Sequence, residues 1–180
     1  MKRILMLIAL IGAVLMQAGM AANPDPALQN KLDTRTKEIT TWAATPELVD
    51  AVKRQNQSKS EELRAMTQDK WVTTSALETF IRNLTRNGAA EVLKAKRTEA
   101  VTEAFVSDAD GDKVAFLAKP TNWNHKGKPK HDQPMSGKNW QGNVEKDEST
   151  GFEQIQIAVP VLDGGKPIGS LVVGFNVAKL

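Results

Sequence analysis

Residues 153–177 read EQIQIAVPVLDGGKPIGSLVVGFNV and contain two apolar runs joined by a short turn. In the first run, Glu153–Leu162, the apolar residues at 155, 157 and 159 alternate with two glutamines and an alanine, which is the period of a β-strand. The second run, Ile168–Val177, is also strand-like, and Asp163-Gly164-Gly165 supplies the positive φ angles that a tight connection requires. The carboxyl-terminal part of the chain is therefore predicted to form a β-hairpin.

A second hairpin is predicted just before it. The short apolar runs Glu103–Val106 and Val114–Leu117 flank the turn-forming residues 107–112, SDADGD. The aspartates in this turn could also indicate a calcium-binding loop. An EF-hand loop that starts at 108, however, requires glycine at its sixth position and glutamate at its twelfth. Those positions hold Lys113 and Lys119. The pattern therefore favours a hairpin turn.

The part of the chain before residue 98 has helical periodicity. In Ala27–Ala44, helical spacing places the apolar residues on one stripe: Leu28, Leu32, Ile39, Trp42 and Ala43. Helices followed by antiparallel strands indicate an α+β fold. We expect one domain, with residues 22–98 as its helical lead-in and residues 99–180 as a sheet of about five antiparallel strands.

The amino terminus has the layout of a secretory signal. Lys2 and Arg3 precede an uncharged apolar run that ends at Met16, and the small residues Gly19 and Ala21 stand at the two positions that a signal peptidase reads. We predict a signal peptide over residues 1–21, cleaved after Ala21, with an uncleaved membrane anchor as the alternative. The run is shorter than the roughly 20 residues that span a bilayer. We therefore expect a periplasmic or secreted protein with no membrane insertion after cleavage.

Four segments resemble, in order, the extracellular PAS-like Cache (PDC) sensor domains: WAATPELVDAV (42–52) followed by Asn56, DKW (69–71), EAFVSDADG (103–111) and QIAVPVLDGGKPIGSLVVG (156–174). The resemblance implies a PAS-like Cache fold with amino-terminal helices packed on the sheet. It also implies a small-molecule pocket between the concave face of the sheet and the loops that cover it, and no cofactor. Most members of that family form the outer part of membrane receptors. Because this sequence ends at Leu180, we expect a free-standing exported form.

The stretch from Lys119 to Gly151 shows no clear period, and a stretch of about 30 residues of this kind within a compact domain is usually functional or mobile. It repeats an Asn-Trp-amide pattern, in which an indole could form an apolar wall while amides and lysines orient a polar ligand. By position we expect a pocket lined by Trp123, His125, Lys126, Trp140 and Gln141. The alternative is that both tryptophans cap the core and the lysines are solvated.

Other functional classes have weaker support. His125 and His131, with Asp132, could ligate zinc or copper, but their spacing does not make them converge, so no metal site is predicted. The chain has no cysteine, and no Gly-x-Ser-x-Gly motif surrounds a serine, so we expect no enzyme. Its lysines cluster in one loop, without arginine or a recognised helix, so we expect no nucleic-acid partner.

The sequence thus predicts an exported sensor-type domain that binds a small anion or zwitterion, such as a carboxylate or an amino-acid-like ligand, because six lysines lie within residues 113–138. The alternative is an interaction protein of the same fold with a filled pocket. It would form a homodimer through the amino-terminal helix or modulate an envelope receptor.

Overall fold

The computed structural model describes residues 24–146 and 151–180. The predicted signal peptide lies outside these residues. No helix in the described ranges is both long and apolar enough to span a bilayer.

Within the described residues the chain forms seven α-helices and six β-strands, and it ends in a 3-10 helix, Val177–Lys179. The helices are α1 (Pro26–Ala43), α2 (Pro46–Gln57), α3 (Glu61–Ala65), α4 (Gln68–Thr73), α5 (Thr79–Leu84), α6 (Gly88–Lys96) and α7 (Pro129–Met135). The strands are β1 (Val101–Asp108), β2 (Lys113–Phe116), β3 (Trp140–Gln141), β4 (Glu145–Lys146), β5 (Glu153–Asp163) and β6 (Lys166–Asn176).

The strands form one antiparallel sheet in the order β2-β1-β6-β5-β3, and β4 also pairs with β5. Both predicted hairpins are present. In the longer one, β5 and β6 pair over their whole length, and Gly164 and Gly165 adopt φ angles of 56° and 81° at the turn. The α+β fold class, with helices preceding an antiparallel sheet, is confirmed.

The inner face of the sheet packs against helices α1, α2 and α6. Asp25 caps α1 by accepting a hydrogen bond from the amide of Ala27, and Pro26 occupies the first turn, where its missing N–H costs nothing. The predicted stripe of α1 faces this core: Leu32, Ile39 and Trp42 are buried. The apolar residues of β5 at 155, 157, 159 and 161 face the same way. The alternation seen in the sequence therefore marks the inner face.

The outer face carries a second, aromatic core. Phe105 of β1 and Phe116 of β2 lie in it, together with Trp71 of α4 and Trp123. The indole of Trp71 meets the ring of Phe116 edge-on, with centroids 5.7 Å apart. The core also includes Ala158 of β5 and Val172 of β6, whereas the outward positions 154 and 156 of β5 carry glutamines.

The structure differs from the sequence prediction between Lys119 and Gly151. That stretch contains α7 and the two-residue strands β3 and β4, which brings the sheet to six described strands rather than about five. Seven residues make fewer than two helical turns, too few for a hydrophobic period to emerge. Pro129 fits the first turn of α7, and Pro134 lies inside it.

Candidate functional site

A cavity of about 330 Å³ lies on the outer face of the sheet, beside the aromatic core. Its floor comes from β1 and β5, and its wall comes from the segment 120–131, which we call the roof segment. The lining residues are Thr102, Glu103, Phe105, Pro120, Thr121, Asn122, His125, Lys130, Gln154 and Gln156. Polar and charged side chains predominate among them, so the cavity is suited to a polar ligand.

The roof segment is anchored at both ends. At its start, the indole N–H of Trp71 donates to the carbonyl of Pro120 at 2.7 Å. The side chain of Gln68 accepts from the amide of Trp123 and donates to the carbonyl of Thr121, each at 2.9 Å. At its end, the ring Nδ1 of His131 lies 2.8 Å from the hydroxyl of Ser170 on β6. The wall of the cavity is therefore held to both the helices and the sheet.

Glu103 and Lys130 place opposite charges on the cavity lining, with Gln156 between them. The amide of Gln156 accepts a hydrogen bond from Lys130 Nζ at 2.8 Å and donates to Glu103 Oε1 at 2.5 Å. Burial lowers the pKa of Lys130. Partial burial of an ammonium is costly unless acceptors surround it, so this lysine favours an anion beside it.

The local sequence explains why Glu103 fits there. Gln154 and Gln156 alternate with the buried isoleucines of β5 and therefore point outward. Gly174 of β6 pairs with both Glu103 and Gln156 in the ladder. A Cβ at this glycine would come within 2.8 Å of the Glu103 side chain, so its absence makes room for the carboxylate.

A buried lysine lies behind the cavity. Lys113 of β2 is 0% exposed, and its Nζ lies 2.5 Å from His125 Nδ1 and 3.2 Å from the hydroxyl of Ser107. Its ammonium also lies 4.8 Å from the ring centroid of Phe105, on which the imidazole of His125 stacks. Burial, followed by the charge of Lys130, lowers the pKa of Lys113 to about 7. Burial and the charge of Lys113 lower the pKa of His125 to about 2, so the imidazole is neutral at physiological pH.

The five residues predicted from the sequence lie in different places. His125 lines the cavity, whereas the other four are not among its lining residues. Trp123 is 3% exposed and packs against Trp71, with ring centroids 5.1 Å apart. Trp140 is half-buried at the edge of the aromatic core. Lys126 is exposed, with its ammonium 3.5 Å from Asp110, and the side chain of Gln141 hydrogen-bonds Gln29 of α1.

The remaining candidates have structural partners. His131 is buried, and its Nδ1 bonds the hydroxyl of Ser170. No group of three or more His, Asp or Glu side chains that could hold a metal occurs in the described ranges.

In the aspartate-rich turn, Nζ of Lys59 lies 2.9 Å from Asp108, 3.0 Å from Asp110 and 2.6 Å from Asp112. Burial alone would lower the pKa of Lys59, but hydrogen bonds to the three carboxylates outweigh it and raise that pKa above its usual value.

Sequence reasoning missed four residues of this region: Glu103, Lys113, Lys130 and Gln156. The outward face of β5 carried the available signal, because two glutamines on a strand with a buried opposite face must point to solvent or to a site. The two lysines belong to the cluster noted in the sequence, but alternation along β2 and the turn into α7 decide which lysines point inward.

Comparison with known proteins gives structural likenesses only. No family model and no curated protein matches the chain. The chain is similar to the sensor domain of DcuS from Escherichia coli at 14% identity and a TM-score of 0.48, covering 85% of this chain and 94% of that one. It is also similar to the sensor domain of the Vibrio cholerae histidine kinase DctB at 18% identity and a TM-score of 0.38, covering 84% of this chain and 58% of that one.

A third similar structure is the ligand-binding domain of the amino acid chemoreceptor PctC from Pseudomonas aeruginosa, at 13% identity and a TM-score of 0.41, covering 83% of this chain and 60% of that one. The chain thus spans less than two thirds of the DctB and PctC structures. The TM-scores are all below 0.5, so these likenesses carry no argument about function. The three solved structures named here are sensor or ligand-binding domains, the kind of domain that the sequence of this chain resembles.

Proposed function

We propose that this chain is a sensor-type module that binds a small zwitterion or anion of the amino-acid class in the cavity under the roof segment. The observation that supports this is the pair of opposite charges, Glu103 and Lys130, on the lining of one half-enclosed cavity. A ligand carboxylate would lie against the Lys130 ammonium, and a ligand ammonium would lie against the Glu103 carboxylate.

The two charges are available to a ligand because a neutral amide separates them. Within the described ranges, no ion pair joins Glu103 and Lys130, and each bonds Gln156 instead. A charge-assisted hydrogen bond contributes about 1.5–3 kcal/mol. Each charged end of a ligand should therefore raise the affinity by about 10- to 100-fold over an analogue that lacks it.

A thermal-shift screen of the amino acids and of small carboxylates tests the proposal, followed by calorimetry on the strongest compound. Screening should include L-leucine and GABA, which are bound in structures of the CtaA chemoreceptor of Pseudomonas fluorescens and of PctC. Glu103→Gln should weaken a zwitterion at least tenfold and leave its deaminated carboxylate analogue within twofold. A protein whose melting temperature rises with none of these compounds would refute the proposal.

Two lysines outside the cavity, Lys138 and Lys126, provide the controls for Lys130. Lys130→Gln should weaken every carboxylate at least tenfold, whereas the exposed Lys138, which does not line the cavity, should tolerate the same change without effect. Lys126→Gln separates the site described here from the one predicted from the sequence. Loss of binding in Lys126→Gln, with Lys130→Gln unaffected, would move the ligand to the outer side of the roof segment.

The proposal includes export. We infer that residues 1–21 are removed and that the mature protein acts in the periplasm or is secreted. Amino-terminal sequencing of the protein recovered from the extracellular or periplasmic fraction tests this, and an intact Met1 would contradict it.

The alternative function is an interaction protein that dimerises through α1 or modulates an envelope receptor. The outward positions of α1 carry polar residues, among them Lys31, Asp33, Thr34 and Lys37, which are typical of a solvated face. Light scattering distinguishes the two functions. A stable dimer that shows no response to any screened compound would favour the alternative.

A further inference from the structure

The two histidines of the roof segment use their ring nitrogens differently. His131 bonds Ser170 through Nδ1 and is 1% exposed, so its ring is enclosed by the protein. Among the residues that the structure describes, the ring of His125 has one hydrogen-bond partner, the Nζ of Lys113 at Nδ1. No buried side-chain nitrogen or oxygen in the described ranges lacks a hydrogen-bond partner. Nε2 of His125, which has no protein partner there, is therefore reachable from the cavity that the residue lines.

Lys113 decides which nitrogen of His125 carries the proton. Below its pKa of about 7, the Lys113 side chain is an ammonium with three N–H donors and no acceptor, so at pH 6 a bond from Nζ to Nδ1 requires Nδ1 to be the unprotonated nitrogen. The hydroxyl of Ser107 and the ring of Phe105 hold the ammonium in place. Because the imidazole is neutral, it has a single N–H, and that N–H is then on Nε2.

We propose that Lys113 is a positioning residue that fixes His125 as an Nε2–H donor, and that this donor and Lys130 together bind the carboxylate end of the ligand. This inference rests on the proposed function and deepens it by dividing the cavity. One end presents the His125 and Lys130 donors, and the other presents the Glu103 carboxylate.

The surroundings of His125 keep the donor in this orientation. Its ring stacks on Phe105 with centroids 4.8 Å apart and planes 19° apart, so the plane of the imidazole is held against β1. Its backbone amide donates to the carbonyl of Gly111 at 2.9 Å. Gly111 has φ 88°, and a Cβ there would collide with the backbone of Lys126, so this glycine lets the roof segment approach the turn closely.

Long-range proton–nitrogen NMR at pH 6 of the full chain labelled with ¹⁵N-histidine tests the positioning role without any ligand. We expect His125 to have a protonated Nε2 and an unprotonated Nδ1. Lys113→Met, which keeps the length of the side chain but removes the donor, should convert His125 to a mixture of tautomers. His131 should keep its tautomer in both proteins. A protonated Nδ1 in the wild-type protein would overturn the proposal, since Lys113 would then be the acceptor.

Calorimetry at pH 6 with three matched probes tests the binding role: L-leucine, its deaminated analogue 4-methylpentanoate and its decarboxylated analogue 3-methylbutylamine. Lys113→Met should weaken both carboxylate-bearing probes about tenfold and leave the amine within twofold. His125→Gln, which can keep an N–H near the position of Nε2, should retain more carboxylate affinity than His125→Leu.

The outcomes separate this inference from the proposed function. Equal effects of Lys113→Met on all three probes, or no effect on any, would overturn the inference while the cavity remains a binding site. Failure of all three probes and of the wider screen would refute the proposed function and the carboxylate role of His125 with it, whatever its tautomer.

Discussion

Lys113→Met should change how the stability of this protein depends on pH. Lys113 is fully buried, and burial lowers its pKa in the folded protein from 10.5 to about 7. The groups that act on it are Lys130, whose charge also lowers the pKa, and the carboxylates of Asp112, Asp108 and Glu103, which raise it. Between pH 7 and pH 10.5 the unfolded chain therefore binds a proton that the folded chain does not.

The sign and size of the effect follow from this difference. Because the unfolded state binds more protons in that window, the free energy of unfolding of the wild-type protein rises with pH. A difference of one pKa unit corresponds to about 1.4 kcal/mol, so the contribution of Lys113 to the unfolding free energy should grow by about 3–4 kcal/mol from pH 7 to pH 10. Methionine has a similar shape and no charge, so the variant should lack this rise.

Urea denaturation of both proteins at several pH values between 7 and 10 measures the difference. The variant should be more stable relative to wild type at pH 7 than at pH 10, and other titrating groups should largely cancel because both proteins contain them. A difference between the two proteins that stays constant across this range would show that Lys113 titrates at its ordinary pKa and would refute the account of its burial.

Three further predictions concern stability. Lys59→Met should cost about 3 kcal/mol in urea denaturation at pH 7, because it leaves the fully buried Asp108 without its cation, whereas Lys53→Met, at an exposed pair, should cost less than about 1 kcal/mol. Gly169→Ala should cost about 3 kcal/mol, since its Cβ would collide with a carbonyl oxygen of β1; an unchanged melting temperature would show that β1 and β6 can separate. Trp123→Ala should lower the unfolding free energy by about 3–5 kcal/mol as a core residue, and a loss of ligand affinity at unchanged stability would instead make it a pocket wall.

The elements that the sequence predicts well are those with a local signal. The β5–β6 hairpin follows from alternation and from Gly164-Gly165 at its turn, and α1 follows from its apolar stripe. Helix α7 escaped prediction because seven residues containing two prolines show no period.

Predicting the cavity requires information that a single sequence does not contain. Glu103 meets Gln156 because β6 lies between β1 and β5 in register, and Gly174 is their shared neighbour. Composition identified the lysine-rich region, but only the path of the chain distinguishes Lys130, which lines the cavity, from Lys126, which faces outward. Lys113 could not be recognised as buried, since lysine is rarely found in a core.

The position of Lys59 in the aspartate-rich turn has a consequence for the conditions under which the fold is maintained. The positive charge that neutralises these three carboxylates is a lysine of the same polypeptide. Unlike a bound metal ion, it is present whatever the composition of the medium. A hairpin closed in this way should keep its shape in the presence of chelators and when the ion content of the medium changes. The β1–β2 hairpin, which borders the cavity, therefore does not require a bound ion to stay formed.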